Sequence, residues 1–403
     1  MTLNKTSVLF LAAKYSIINK SRRVYTHTLS VIKIKKMKRD LIVLIPILLS
    51  CFYGYPQDDN LYIAKSKTDS LISILIKDYP GISIAISMDN DIVYSEAYGY
   101  SDIKVKKSLN VKSKFNMYSV SKVMTGAAIV LLWEKEKIDL DTPIVQYLPE
   151  LKHKPTEQVT IRQLLGHTSG IIEPEEEKIS NWKFGRIPNS TSPRQTLKTF
   201  IDIPLEFEPG FQMSYTTYGY VLLSAIIESV TGNYEKFMEE AIFKPSGMVD
   251  TFIDGRRNSF KNRSKQYVID SGGKFIESEF PDASCKWGGG GFVTTSEDMA
   301  KFSIALVHNK LTTQTGLDMM LTPVETIDGK HKSYGFGLVS YFSTSRKTRQ
   351  ANHGGGNLDG RTYLTFFPDK KVSMAIALNA GSDKGEELAR TIFEISDIWL
   401  NFD

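Results

Sequence analysis

Cysteine is nearly absent from the sequence: 403 residues hold only Cys51 and Cys285. No disulfide framework can therefore organise the fold, and no cysteine pair is available for a zinc site. Histidine is scarce too, and the six present (His27, His153, His167, His308, His331, His353) form no H-E-x-x-H, so neither a zinc hydrolase nor any other bound metal or cofactor is expected. No serine lies in a G-x-S-x-G, which excludes the strand-to-helix elbow of α/β-hydrolases. No G-x-x-x-x-G-K-[ST] occurs, so Gly288 to Gly291 reads as a tight loop rather than a phosphate cradle. Fixed-period repeats and low-complexity linkers are also missing.

An evenly spread charge is lacking as well. The net charge is +5, yet residues 1 to 51 hold ten Lys and Arg against the single acid Asp40, leaving 40 bases and 44 acids in residues 52 to 403. The remainder is thus mildly acidic, and no nucleic-acid face is implied. Within the basic stretch, Met37-Lys38-Arg39 precedes the apolar run Leu41 to Leu49, the pattern of a secretory signal and too short to span a bilayer. Residues 1 to 51 are accordingly expected to be an export leader, with Met37 the true start and residues 1 to 36 untranslated. Leu48-Leu49-Ser50-Cys51 resembles a bacterial lipoprotein box, which makes Cys51 a lipidation candidate and the cell envelope or periplasm the expected location. Cys285 reads as a structural thiol.

What is present is apolar bulk: 41% hydrophobic and 11% aromatic residues suffice for a large core. Leu61 to Lys77 repeats apolar residues at helical spacing, and two β-rich runs follow, Gly81–Ser87 and Ile92–Tyr98, joined by a polar turn. Near the other end Tyr334–Tyr341, Arg361–Phe367 and Val372–Leu378 read as strands, and Glu386–Leu400 as a helix. The expected fold is α+β, in one domain over residues 60 to 403. Its antiparallel sheet, built from residues 60 to 110 and 330 to 403, is flanked by the N- and C-terminal helices, and residues 111 to 330 form a large, mainly helical insertion. Glu175-Glu176-Glu177 reads as a solvated loop.

Three segments carry chemistry. Phe115-Asn116-Met117-Tyr118-Ser119-Val120-Ser121-Lys122 precedes an apolar stretch to Trp133, which puts Ser119 and Lys122 in the first turns of a buried helix. Residues three apart share a helix face, so Lys122 meets Ser119 rather than Ser121. A desolvated lysine can take the proton of a serine hydroxyl and make it a nucleophile. Tyr215, in the turn Phe207 to Thr217 before a helix, places a phenol able to relay a proton. His353-Gly354-Gly355-Gly356 lies where a strand edge should border the cleft, and glycines there let substrate approach backbone N–H groups that complete an oxyanion hole with that of Ser119.

Together these segments resemble the class C β-lactamases, low-molecular-mass penicillin-binding proteins and related esterases. Ser119 and Lys122 stand at the family's S-x-x-K, Tyr215-Thr216-Thr217 at its Y-x-N, and His353-Gly354-Gly355 at its K-T-G or H-x-G. Val159 to Gly170, ending His167-Thr168-Ser169-Gly170, and Gly289 to Ala300 resemble two further family segments; by that resemblance His167 is a scaffold residue. The resemblance spans about residues 60 to 400 and implies a class C β-lactamase-like fold without cofactor. It also implies an acyl-enzyme on Ser119, formed from D-Ala-D-Ala-type peptides of peptidoglycan, from esters or from β-lactams. A non-catalytic sensor of cell-wall peptides is the reading of another class. Thr217 departs from the family's asparagine, which bears on how a substrate amide is recognised. The expected partner is a small molecule or peptide. No nucleic acid is expected, a membrane only through a lipid on Cys51, and the sequence does not specify an oligomeric state.

Overall fold

Gly81-Ile82-Ser83-Ile84-Ala85-Ile86-Ser87-Met88 alternates isoleucine with serine or alanine, and this period of two forms strand β1 (Gly81–Met88), buried on both faces. In a computed structural model of the chain, residues 56–173, 192–255, 261–278, 283–330, 334–381 and 385–402 are described. The leader with Cys51 and the Glu175 to Glu177 run lie outside them. The chain divides into two units, residues 1–59 and 60–403. Of the first, only residues 56–59 are described.

In the second unit β1 belongs to a seven-stranded antiparallel sheet. Strands are numbered in chain order: β2 (Asp91–Asp102) and β3 (Lys107–Ser108) lie on one side of β1. On the other lie, outward, β12 (Val372–Leu378), β11 (Gly360–Phe367), β10 (Thr348–Asn357) and β9 (Val339–Ser343). The ends of the chain thus meet at the sheet centre, where Ile82 pairs with Leu378 and Met88 with Val372. The two faces differ in residue size. Ile82, Ile84, Ile86, Met374 and Ile376 face helix α1 (Pro56–Leu75) and the C-terminal helix (Gly385–Leu400), whose Ile72, Ile395 and Trp399 complete that core. On the opposite face the small residues Ala85, Ala375 and Ala377 let the helix Ser296–Val307 lie close to the sheet.

The middle of the chain supplies the second layer. Helix α2 (Ser121–Glu134) is apolar nearly all round because it is buried nearly all round. A Cβ at its Gly126 would stand 2.3 Å from the carbonyl oxygen of Phe336, so only glycine permits that contact. Beside it run α3 (Ile161–Leu165), opened by a capping box between Thr160 and Gln163, and α4 (Thr217–Thr231), ended by Gly232 at φ +83°. Residues 111 to 330 also contain strands. β4 (Phe115–Asn116), β8 (Phe292–Thr294) and β5 (Phe252–Ile253) form a small sheet that sets the turn after β4 beside the glycine loop before β8.

One expected strand is displaced. Tyr334–Tyr341 is strand only from Val339, because Gly337 (φ +84°) lies against the backbone of Lys122 and Phe336 N–H donates to Met320 O (3.0 Å). Residues 334 to 338 clamp α2 instead of extending the sheet.

Candidate active site

After β4 the chain turns sharply through Tyr118, a non-glycine residue at φ +48°, into a single 3₁₀ turn (Tyr118–Val120) and then α2. Such a conformation persists only where neighbours over-determine it. Here the Tyr118 hydroxyl donates to Asp359 Oδ1 (2.9 Å) and accepts from Gln266 Nε2, while Thr362 Oγ1 donates to Met117 O (2.9 Å). Ser119 therefore sits just ahead of α2, and among the described residues its N–H finds no acceptor. Ser121 is fully buried, its Oγ accepting from Phe292 N–H (3.4 Å). It holds β8 and cannot face a cleft.

Lys122, on the first turn of α2, is fully buried. Its Nζ donates to Gly289 O (2.5 Å), Ser119 Oγ (3.2 Å) and, at longer range, Thr217 Oγ1 (3.5 Å). It also lies 4.8 Å from the centre of the Tyr215 ring. Burial lowers its pKa from 10.5 to about 7, against an opposing pull from the Glu173 carboxylate. Near neutral pH a large fraction is thus the free amine, able to accept a proton from Ser119 Oγ.

Tyr215 precedes α4 by two residues, and its ring lies over the Lys122 amine on the side of the cleft where its hydroxyl interacts with Ser119. Desolvation raises its pKa, so the phenol stays protonated across the physiological range. Its ring packs, tilted by 37°, with its centre 4.4 Å from that of His167. His167 Nδ1 accepts from Thr216 N–H (3.1 Å) and its carbonyl from Ser214 N–H (2.9 Å), so the His167 to Gly170 segment braces the Tyr215 turn. His167 is wholly buried, and desolvation holds its pKa well below 6.5.

β10 forms the opposite wall. Its first half pairs with β9 only as far as Asn352, whereas β11 accompanies it from Ala351 to Asn357. From His353 onward one edge therefore lacks a strand partner among the described residues. Period two then separates the glycines: a Cβ at Gly355 would stand 2.9 Å from Ser119 N, while Gly354 and Gly356 face Tyr363 and Arg361 on the other side. Only Gly355 abuts the serine turn, and any side chain there would push β10 away from it. The His353 ring is engaged at both nitrogens, Nδ1–H donating to Gly354 O (2.6 Å) and Nε2 accepting from the Tyr334 hydroxyl (2.6 Å). Desolvation lowers its pKa to about 3, so it is neutral.

Sequence reasoning missed three groups that complete this arrangement: Gly289 O, Tyr334 and Glu173. The carbonyl has no side-chain signal, and Tyr334 reads as one more strand aromatic. Glu173, three residues beyond Gly170, accepts a short hydrogen bond from Thr217 N–H. An acid so close to the His167 to Gly170 segment was the available clue, obscured by the acidic run that follows it.

A serine beside a buried lysine, with a tyrosine ring over the amine and an open strand edge opposite, defines a serine-hydrolase-type site of the penicillin-recognising fold. The chain belongs to the Beta-lactamase family, whose model matches residues 68–396. It is similar to the human serine beta-lactamase-like protein LACTB, mitochondrial, at 28% identity over 383 residues, covering 72% of this chain and 69% of that protein. Similarity to penicillin-binding protein 4* of Bacillus subtilis is 28% over 317 residues, 74% of this chain and 68% of the relative. Among solved structures the D-amino acid amidase of Ochrobactrum anthropi shares the fold, with a TM-score of 0.70 at 22% identity over 85% of this chain and 99% of that one.

Proposed function

We propose that the protein is an exported serine hydrolase that cleaves amide or ester substrates, foremost D-Ala-D-Ala-type peptides of peptidoglycan, through an acyl-enzyme on Ser119. The observation that carries this reading is the fully buried Lys122 amine 3.2 Å from Ser119 Oγ. In the proposed sequence Lys122 accepts the serine proton as Oγ attacks the substrate carbonyl. The oxyanion meets the N–H of Ser119 and a backbone N–H on the open edge of β10. Tyr215, held as a neutral phenol, passes its proton to the leaving group and recovers one from the Lys122 ammonium, so the serine proton ends on the product, and the same pair later directs water at the acyl ester. Penicillin-binding relatives support a peptidoglycan substrate. A steady-state panel of a D-Ala-D-Ala peptide, a p-nitrophenyl ester and nitrocefin tests it, and turnover of none of the three would overturn it.

An esterase reading is favoured by one residue, Thr217, whose short side chain replaces the asparagine that grips an amide in the family pattern. Thr217→Asn is expected to raise kcat/KM on amide-bearing substrates by on the order of tenfold if one neutral hydrogen bond of a little over ~1 kcal/mol is restored. Ester turnover, the internal control, changes little. A parallel fall in both activities would place Thr217 in proton transfer instead.

Export is proposed from the basic and apolar leader. Mass spectrometry of the natively expressed protein is expected to find a chain beginning at a lipidated Cys51 or just beyond it. A retained basic terminus in the cytoplasm would refute the signal.

A further inference from the structure

Lys122 is surrounded by groups that carry no charge near neutral pH. The Tyr215 and Tyr220 rings lie 4.8 and 5.6 Å from its Nζ. His167 and His353 are close enough to feel its charge, and both are held neutral by burial. Ser119, Thr217 and the Gly289 carbonyl complete its hydrogen bonds. Among the described residues the one acid that acts on it is Glu173. That carboxylate reaches the site from the loop after Gly170 and is fixed there by the N–H of Thr217, the first residue of α4. Its charge also acts on Tyr215 and Tyr218, and Lys286 acts on Tyr215 in the opposite sense.

We propose that Glu173 is a positioning residue with two separable duties: its oxygen holds the Tyr215-to-Thr217 turn at the start of α4, and its charge sets how readily Lys122 gives up a proton. This deepens the proposed reaction and rests on Lys122 being the base in it. The duties follow from different properties of one group. A hydrogen bond to Thr217 N–H needs only an acceptor oxygen, which a glutamine retains. A Coulombic pull on an ammonium needs the negative charge, which a glutamine lacks. Where the family pattern sets an asparagine beside the lysine, this chain has a threonine in that place, and a carboxylate reaches its N–H from another loop.

The test compares pH profiles of kcat/KM for a p-nitrophenyl ester in wild type, Glu173→Gln and Glu173→Ala. The sign follows from Lys122 acting as the free amine. Activity climbs as pH rises through its pKa, and removing a neighbouring negative charge lowers that pKa. The acid limb of Glu173→Gln is therefore expected to move to lower pH by ~0.5 unit or more, the scale of one partly screened charge at close range, with the high-pH plateau reduced only a few-fold. Glu173→Ala is expected to show the same displacement with a much lower plateau, because the turn loses its anchor. An acid limb that stays at the wild-type pH in Glu173→Gln overturns the inference. Failure of the underlying reading looks different: wild-type protein would then show no fluorophosphonate adduct on Ser119 at any pH.

Discussion

Replacing Ser119 with alanine is expected to abolish covalent labelling by a fluorophosphonate or fluorescent penicillin, while Ser121→Ala retains it. The two serines are separated by a single residue in a turn rich in hydroxyls, yet their surroundings differ in kind. Ser119 Oγ meets the Lys122 amine, and among the described residues no acceptor takes the Ser119 N–H, whereas Ser121 Oγ is sealed against the Phe292 amide. Loss of a nucleophile that acts as a unit with its base removes on the order of 10⁴ to 10⁶ in kcat, the remainder being what binding and the oxyanion site supply. Ser121→Ala leaves a buried N–H unsatisfied and is expected to cost about 1–3 kcal/mol of stability instead. Peptide mapping of the adduct and urea denaturation separate the outcomes. Equal labelling of both variants would refute the assignment, and a wild-type protein that is never labelled would favour the non-catalytic sensor.

Lys122→Met is expected to be inactive and, below about pH 8, more stable than wild type. A lysine whose pKa falls from 10.5 unfolded to about 7 folded carries an unfavourable burial term of roughly 4 kcal/mol near neutral pH. Methionine forgoes the hydrogen bonds to Gly289 O and Ser119, leaving a net gain of about 2–3 kcal/mol. The pH dependence fixes the cause. Between 7 and 10.5 the unfolded chain binds the extra proton, so wild-type stability rises with pH across that window and is at its most penalised below it. The advantage of the methionine variant should therefore be greatest below pH 7 and be gone by about pH 9, where the remaining penalty only matches the lost hydrogen bonds. A variant less stable than wild type at pH 6 would show that Lys122 supports the fold.

The strands at both ends were legible because period-two alternation and helical spacing are local signals, and β1, β11, β12 and the terminal helices lie close to where those signals put them. Tyr334 to Leu338 was not legible: its apolar and glycine residues fit a strand, and only the approach of Gly337 to the Lys122 backbone, a contact 215 residues apart, makes it a clamp. The site divides in the same way. Ser119 and Lys122 share a turn and could be read from spacing, whereas Gly289 O and Glu173 enter it through contacts no periodicity encodes. His353 was legible as a position, but its engagement with Tyr334 depends on that displaced segment.

Pairing of β1 with β12 joins residues nearly 300 positions apart at the middle of the sheet. A chain growing from the ribosome has made its first sheet strand long before the partner exists, and the loop that must close spans nearly the whole domain. Closing so long a loop before its contacts reward it makes for slow folding. Until the last strand is made, Ile82, Ile84 and Ile86 have an open edge beside them and are a hazard for self-association. The central sheet of a polypeptide with this wiring cannot close until its last strand has been made.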